Sequence, residues 1–357
     1  MSRKPVSPRG MDFSLFYFAS DSRELDGSRY RLLLDGARFA DANGFAAVWT
    51  PERHFHPFGG LYPNPSVTGA AVAAVTENVR LRAGSVVAPL HHPLRIAEEW
   101  SVVDNLSGGR AGISFASGWH ASDFALRPED YRDRRRVMVE RAEQVRRLWR
   151  GEALAVRDGT GAEQRVRIHP SPIQSELPTW ITSAGGVETF RAAGRMGAGV
   201  LTHLLGQDIG DLAVKIREYR RASTGPGHVA LMVHAFLGDD AEEVRELVRE
   251  PLTAYLRSSL GLLAGSGLDG RRRIDPAALH PGDVDFMVRR AFDRYVDDGG
   301  LFGTPDRALR VVERLRAIGV DEVACLIDFG LPTSTVLAGL DHLGRLRELA
   351  RPVGVHP

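Results

Sequence analysis

The sequence predicts an α/β protein, a closed (β/α)8 TIM barrel, and three observations carry that prediction. Short β-rich runs alternate with helical patterns along the 357 residues, the mark of parallel βαβ units. Eight strand-helix units follow one another, and no repeat of solenoid spacing competes with them. The length suits one large domain, because α/β barrels run past roughly two hundred residues as a single unit.

In order, DFSLFYF (12–18) is the first strand, followed by a helix near 28–43 that closes at Asn43-Gly44. FAAVW (45–49) leads to a small-residue helix, VTGAAVAAVTE, and RLRAGSVVAP (80–89) is the third strand. The helix LRIAEEWSVVDNL ends at Ser107-Gly108-Gly109, where glycine can take the left-handed cap conformation. AGISFAS is the fourth strand, and VMVERAEQVRRLW shows apolar positions at helical spacing in a helix spanning about 131–150. Residues 151–178 are polar and rich in glycine and proline, which predicts a surface hairpin inserted in the barrel. Strand TWITS, helix VETFRAAGRMG, strand GVLTHL, helix 209–222, strand VALMVHAFL and helix 240–256 resume the series. Between 257 and 302 the period is lost before a short helix, so this stretch reads as a second insertion beside the C-terminal rim. TPDRALRVVERLRAIG then crosses over into the eighth strand, DEVACLIDFG. The expected organisation is a flexible tail, 1–10, and a single domain, 11–350.

Composition narrows the function. With 43% hydrophobic and 25% charged residues and a formal charge of +1, the chain has no electrostatic footprint for nucleic acid or anionic membrane, so a small-molecule partner is expected. Lys4 and Lys215 are the only lysines, which disfavours lysine chemistry. Cys325, the single cysteine, sits in the apolar run VACLID and reads as part of a buried strand. No apolar run approaches the ~20 residues that span a bilayer and MSRKPVSPRG lacks a signal core, so a cytoplasmic protein is expected.

Chemistry-bearing residues fall just past strand ends, where barrel active sites lie. TPERHFHPFGG places Glu52, His54 and His56 after the second strand; His203, His234 and Asp328 belong to later ones. An H-x-H pair with later histidines and an aspartate is how amidohydrolase-type barrels hold zinc. Against a metal stand the position of H-x-H after the second rather than the first strand, the irregular run following His56, and the lack of a bridging lysine. No nucleophile elbow or close carboxylate couple is present. What remains is small and apolar: GSVV, ASGW and SAGG, which suit a large planar cofactor. Gly185 and Gly186 open a helix whose free N–H groups could meet a phosphate, or serve only the turn.

Taken together, WTPERHF, Asn64-Pro65, GSVVAPLHHPLRIAEEWSVVDNLSGGR, GISFASGWHASDF, SAGGVETF, GTP at 303–305 and VDEVACLIDFG resemble the bacterial-luciferase-like flavin-dependent monooxygenases. More narrowly they resemble the subgroup found with polyketide and nonribosomal peptide biosynthesis. The resemblance implies an FMN ring against Gly84, Ser85 and Val86, where relatives often carry a non-proline cis peptide. Ala116, Ser117, Gly118 and Trp119 would line its other side, and Ala184, Gly185, Gly186 and Arg135 or Arg134 its phosphate. Glu52 matches a family glutamate. Relatives place a catalytic histidine directly after it, where this chain has Arg53, with His54 one place later; all three stay catalytic candidates. Ser117 stands where a phosphate-contacting arginine is common.

The implied activity is monooxygenation of a natural-product intermediate, free or tethered to a carrier protein, through C4a-peroxyflavin chemistry. Reduced FMN would come from a separate reductase, O2 would be the co-substrate, and a homodimer is expected. Phe16, Phe18, Phe55, Trp119 and Phe329 are candidates for the wall that excludes water. Use of the deazaflavin F420, or a catalytically silent subunit of the same fold, are the alternatives.

Overall fold

Eight parallel strands close on themselves in the computed structural model, which describes residues 10–18, 29–183, 185–266 and 281–351. In chain order the elements are β1 (Asp12–Phe16), α1 (Arg31–Ala42), β2 (Ala47–Thr50), α2 (Pro65–Ala73), β3 (Arg80–Val87), α3 (Pro93–Ser107), β4 (Ala111–Ala116) and α4 (Arg134–Trp149). There follow β5 (Leu154–Arg157), β6 (Glu163–Val166), β7 (Thr179–Thr182), α5 (Val187–Arg195), β8 (Gly199–His203), α6 (Ile209–Ala222), β9 (Val229–Leu237) and α7 (Ala241–Ser266). The chain ends with α8 (Pro281–Arg294), β10 (Leu301–Gly303), α9 (Pro305–Ala317), β11 (Glu322–Leu326) and α10 (Thr333–Leu349). The ring runs β1-β2-β3-β4-β7-β8-β9-β11 and returns to β1. The expected tail and Ala184 lie outside the described residues, apart from Gly10.

Side chains from five strands meet inside the barrel near its N-terminal end. Arg82 Nη1 bonds Glu322 Oε2 at 2.5 Å, and Trp49 Nε1 donates to Glu322 Oε1 at 2.8 Å and to Ser14 Oγ at 3.1 Å. The guanidinium lies 4.9 Å from the Trp49 ring centroid and 4.5 Å from that of Trp180. Burial alone would raise the Glu322 pKa; Arg82, His228 and the hydrogen bonds reverse this and bring it down to about 2. This end of the barrel is a plug, and the chemistry is left to the other.

Local sequence explains most element ends. Asn64 caps α2 by accepting from Ser66 N at 2.9 Å, and Pro65 fits the first turn, so the helix starts earlier than the 67–77 pattern suggested and stops at Ala73. Gly108, at φ 68°, terminates α3. Asp104 of that helix, fully buried, accepts from the backbone of Ile173 and Gln174 at 2.7 and 3.0 Å. It thereby ties down the 151–178 insertion, whose β5–β6 pair is the antiparallel hairpin expected. Three further boundaries differ from the sequence pattern. Short 3-10 turns at Ala121–Leu126 and Pro128–Asp130 delay α4 to Arg134. Helix α7 passes 256 and runs to Ser266 despite Pro251. The 257–302 insertion contains the 14-residue α8 and the three-residue β10, which pairs with the end of β9. Ion pairs Arg245–Asp293, 2.5 Å, and Arg257–Asp285, 2.6 Å, join α7 to α8, a tertiary support that periodicity does not display.

Candidate active site

The C-terminal mouth is formed by residues after β2, β3 and β4 on one side and by the ends of β8, β9 and β11 on the other. Glu52 is the charged centre of the first half, its side chain only 1% exposed. Oε2 accepts the Val87 N–H at 2.7 Å; Oε1 accepts from His54 Nε2 at 2.8 Å and from His91 Nε2 at 2.5 Å. Burial would raise the Glu52 pKa, but the two histidines and the Val87 N–H outweigh it and hold the group below its ordinary value. For His91 burial pulls downward, and the hydrogen bond and charge of Glu52 pull upward further. An ionised carboxylate only accepts, so both histidines carry hydrogen at Nε2. His91 was not singled out from the sequence; its signal was the His91-His92 pair directly after the third strand. Behind it a cleft of about 20 Å³, room for one water, is lined by Glu52, Asn64, His91, Arg95 and Glu99.

The H-x-H pair does not converge. His56 Nδ1 accepts the Phe58 N–H at 3.0 Å, a local turn contact, and the side chain is half-buried rather than exposed as the loop suggested. Glu52, His54 and His91 do place ligand atoms within 4.8 Å of one another, a spacing that could hold a metal ion. In the structure those atoms are already joined by hydrogen bonds.

Arg53 is buried, with its side chain 1% exposed. Its Nη1 contacts both oxygens of Asp123, at 2.5 and 2.6 Å, while Nε and Nη2 have no partner among the described residues. The guanidinium also lies 5.7 Å from the Trp119 ring. Burial raises the Asp123 pKa and Arg53 offsets this only in part. His120, with Nδ1 3.8 Å from Asp123, is shifted down by burial and by Arg53.

Next to this charged edge is a smooth wall. The Gly84–Ser85 peptide is cis. Gly84 admits no side chain, since a Cβ would lie 2.8 Å from Phe16 Cε2 and 3.0 Å from Trp49 Cε3. Ser85 Oγ meets Thr182 Oγ1, which also bonds Ser114 Oγ at 2.7 Å; Val86 beside it is buried. Ala116, the last residue of β4, and Ser117 and Trp119 beyond it are half-buried, and Gly118 turns the chain there at φ 73°. Arg134 Nε donates to Gly118 O at 3.2 Å, whereas Arg135 is exposed.

Gly185 is half-buried and Gly186 is the exposed N-cap of α5, with no side-chain cap. A Cβ on Gly186 would meet only Thr189 Oγ1, at 3.6 Å. Ser183, three residues before the cap, is buried with its Oγ unpartnered. Open N–H groups, space and an unsatisfied hydroxyl fit a phosphate.

An aromatic cluster links the segments after β1 and β2 to α7, β9 and the end of β11. Ring centroids are 5.2 Å apart for Phe18–Phe58, 4.8 Å for Phe58–Tyr255, 4.7 Å for His234–Tyr255 and 5.8 Å for His234–Phe329. Burial pushes His234 down to about 3 and His203 to about 4, so both are neutral near pH 7. Of the expected wall residues, Phe16 stacks on Trp49 inside the barrel and Phe55, 65% exposed, is at the surface. Asp328 accepts the Phe18 N–H at 2.6 Å. Cys325 is fully buried, and burial raises its thiol pKa far above the ordinary value. Among the described residues no helix is long and apolar enough to cross a membrane.

The luciferase-like monooxygenase family model matches residues 11–322. The chain is 24% identical over 353 residues to the oxygenase component of a flavin-dependent trigonelline monooxygenase from Acinetobacter baylyi, covering 93% of each. It is 30% identical over 290 residues to a 4-hydroxyprotoasukamycin monooxygenase of Streptomyces nodosus subsp. asukaensis, covering 75% of this chain and 77% of that one. In shape it resembles the oxygenating constituent of 3,6-diketocamphane monooxygenase from Pseudomonas putida, solved with FMN. The TM-score is 0.72 at 18% identity, with 98% of this chain and 99% of that one covered.

Proposed function

The chain belongs to the luciferase-like monooxygenases, flavin-dependent enzymes, and from that membership we propose that it is the oxygenase of a two-component system. It would use reduced FMN from a separate reductase, with O2 as co-substrate, to oxygenate a natural-product intermediate, free or carrier-tethered. The observation that carries the cofactor assignment is the uncapped start of α5: Gly186 is open and the buried Ser183 Oγ lacks a partner, a cradle suited to a phosphate. The relatives' names support the two components and the kind of substrate.

When bound, reduced FMN supplies the activation of oxygen. The protein's share is positioning and exclusion of water. Gly84, Ser85 and Val86 on one side and Ala116, Ser117, Gly118 and Trp119 on the other would hold the ring, with few groups able to donate a proton to it. Gly185, Gly186 and Arg134, which bonds Gly118 O while Arg135 is exposed, would serve the phosphate. Glu52 stays ionised and orients both His54 and His91, each of which donates its Nε2–H to the same oxygen, Oε1. The Phe18–Phe58–Tyr255 and His234–Phe329 contacts close the opposite side against water.

Anaerobic titration with reduced FMN, and in parallel with reduced F420, tests the cofactor; oxygen uptake with and without candidate substrates tests the activity. Saturable binding of reduced FMN and substrate-dependent oxygen uptake are expected. Binding of F420 alone would overturn the cofactor assignment, and oxygen uptake that yields only hydrogen peroxide with every substrate would point to a silent subunit.

A further inference from the structure

The geometry points to an oxyanion site on the Nε–Nη2 edge of Arg53, and to a substrate that carries a carboxylate. The substrate part rests on the monooxygenase function proposed above; the anion site stands without it.

Arg53 follows Glu52 at the end of β2. Its single contact with Asp123 is end-on: one nitrogen, Nη1, serves both carboxylate oxygens, at 2.5 and 2.6 Å. The other edge of the guanidinium is unused, for Nε and Nη2 are buried without a partner among the described residues. On that edge the Nε–H and one Nη2–H are parallel, the fork that matches two oxygens of a planar carboxylate. An unmet buried donor is destabilising, so an acceptor here is favoured. Trp119, 5.7 Å from the guanidinium, gives an aromatic ligand a surface beside the charge.

The cover over this site is a strained turn. A Cβ on Gly59 would stand 2.9 Å from Arg53 Cγ and 3.0 Å from Phe18 Cε1, so the 55–60 loop lies directly on the arginine stem. Phe55 in that loop holds φ 54°, a left-handed conformation that a bulky side chain rarely takes, with its ring 65% exposed. The groups facing Arg53 are Asp123 and, around it, His120 and His54; Asp123 is the only one that spends the guanidinium's hydrogen bonds.

Benzoate and its neutral isostere benzamide are the probes, measured by calorimetry and thermal shift on the full chain, with and without FMN. In the wild type, benzoate should bind saturably and at least about tenfold more tightly than benzamide, a difference of ~1.4 kcal/mol. Arg53→Lys keeps the charge but not the fork and should lose most of that preference. Arg53→Met/Asp123→Asn, which leaves no lone buried charge, should abolish it. No benzoate preference in the wild type, or a preference that survives in the double variant, overturns the site. FMN and riboflavin titrations separate the two sources of oxyanion: if Arg53→Lys weakens FMN but not riboflavin, the edge serves the cofactor phosphate and the carboxylate assignment fails. Benzoate binding in a protein that takes no FMN would sink the cofactor proposal and leave the anion site standing.

Discussion

Glu52→Gln removes a charge and leaves one carbonyl oxygen where two carboxylate oxygens serve Val87 N–H, His54 Nε2 and His91 Nε2 at 2.7, 2.8 and 2.5 Å. Whichever way the amide turns, its NH2 faces a donor, and at least one buried N–H loses its acceptor. A charge-assisted hydrogen bond contributes ~1.5–3 kcal/mol and an unmet buried donor costs ~1–3 kcal/mol, so the expected destabilisation is about 3 kcal/mol. The pH dependence has a definite sign. Glu52 is depressed below 4.5, so its contribution is present above 4.5 and lost as pH falls through the folded value. His91 is raised above 6.5, so its contribution is present below 6.5 and lost as pH rises through the folded value. The gap between wild type and variant should therefore be widest between 4.5 and 6.5 and narrow on both sides. Urea unfolding followed by tryptophan fluorescence at about pH 5.5 and about pH 8.5 reads it, with equal slopes as the check on two-state behaviour. A gap under about 1 kcal/mol at both values, or one that widens toward alkaline pH, would refute the charge-coupled network.

Three further outcomes are expected. Gly186→Asp places a carboxylate at the α5 N-cap, where it is a good cap but a poor neighbour for phosphate, so FMN should bind at least about tenfold more weakly while riboflavin and thermal stability hold; equal loss for both ligands would make this turn purely structural. Glu322→Gln leaves Arg82 buried without its counter-charge and should cost ~3–5 kcal/mol at neutral pH. Because Glu322 is depressed from 4.5 to about 2, that penalty should fade as pH drops through this range, which acid titration of both proteins would show. His54→Ala should divert consumed oxygen to hydrogen peroxide while FMN affinity stays within about tenfold, and His56→Ala, losing its contact with Phe58 N and an edge contact with the His120 ring, should behave as wild type in the same peroxide assay.

Much of the fold was legible because strand and helix periods are local properties. Each of the eight barrel strands lies within a run that could be read off the chain, and Gly108 and the 151–178 hairpin announced themselves through turn chemistry. A short helix was expected late in 257–302, but helix α7 beyond 256, the 14-residue length of α8 and β10 were not legible, since ion pairs between α7 and α8 and a three-residue pairing with β9 depend on partners distant in sequence. At the site, Glu52 and His54 could be named from their place after β2, whereas His91 could not. Its role follows from reaching the same oxygen from 39 positions along the chain.

By itself, then, the sequence determined which faces are apolar, where turns fall and which reactive residues stand at strand ends, because these follow from residue type and short-range spacing. Only the tertiary structure decided which neighbours share a charge. It split the H-x-H pair, sending His54 to Glu52 and His56 to a turn, because side-chain direction in an irregular loop depends on what the loop packs against. It likewise set Arg53 against Asp123, 70 residues away, and left the other edge of the guanidinium unpaired. Coulombic and hydrogen-bond energies are decided by distance and burial, and neither is a property of a linear spacing.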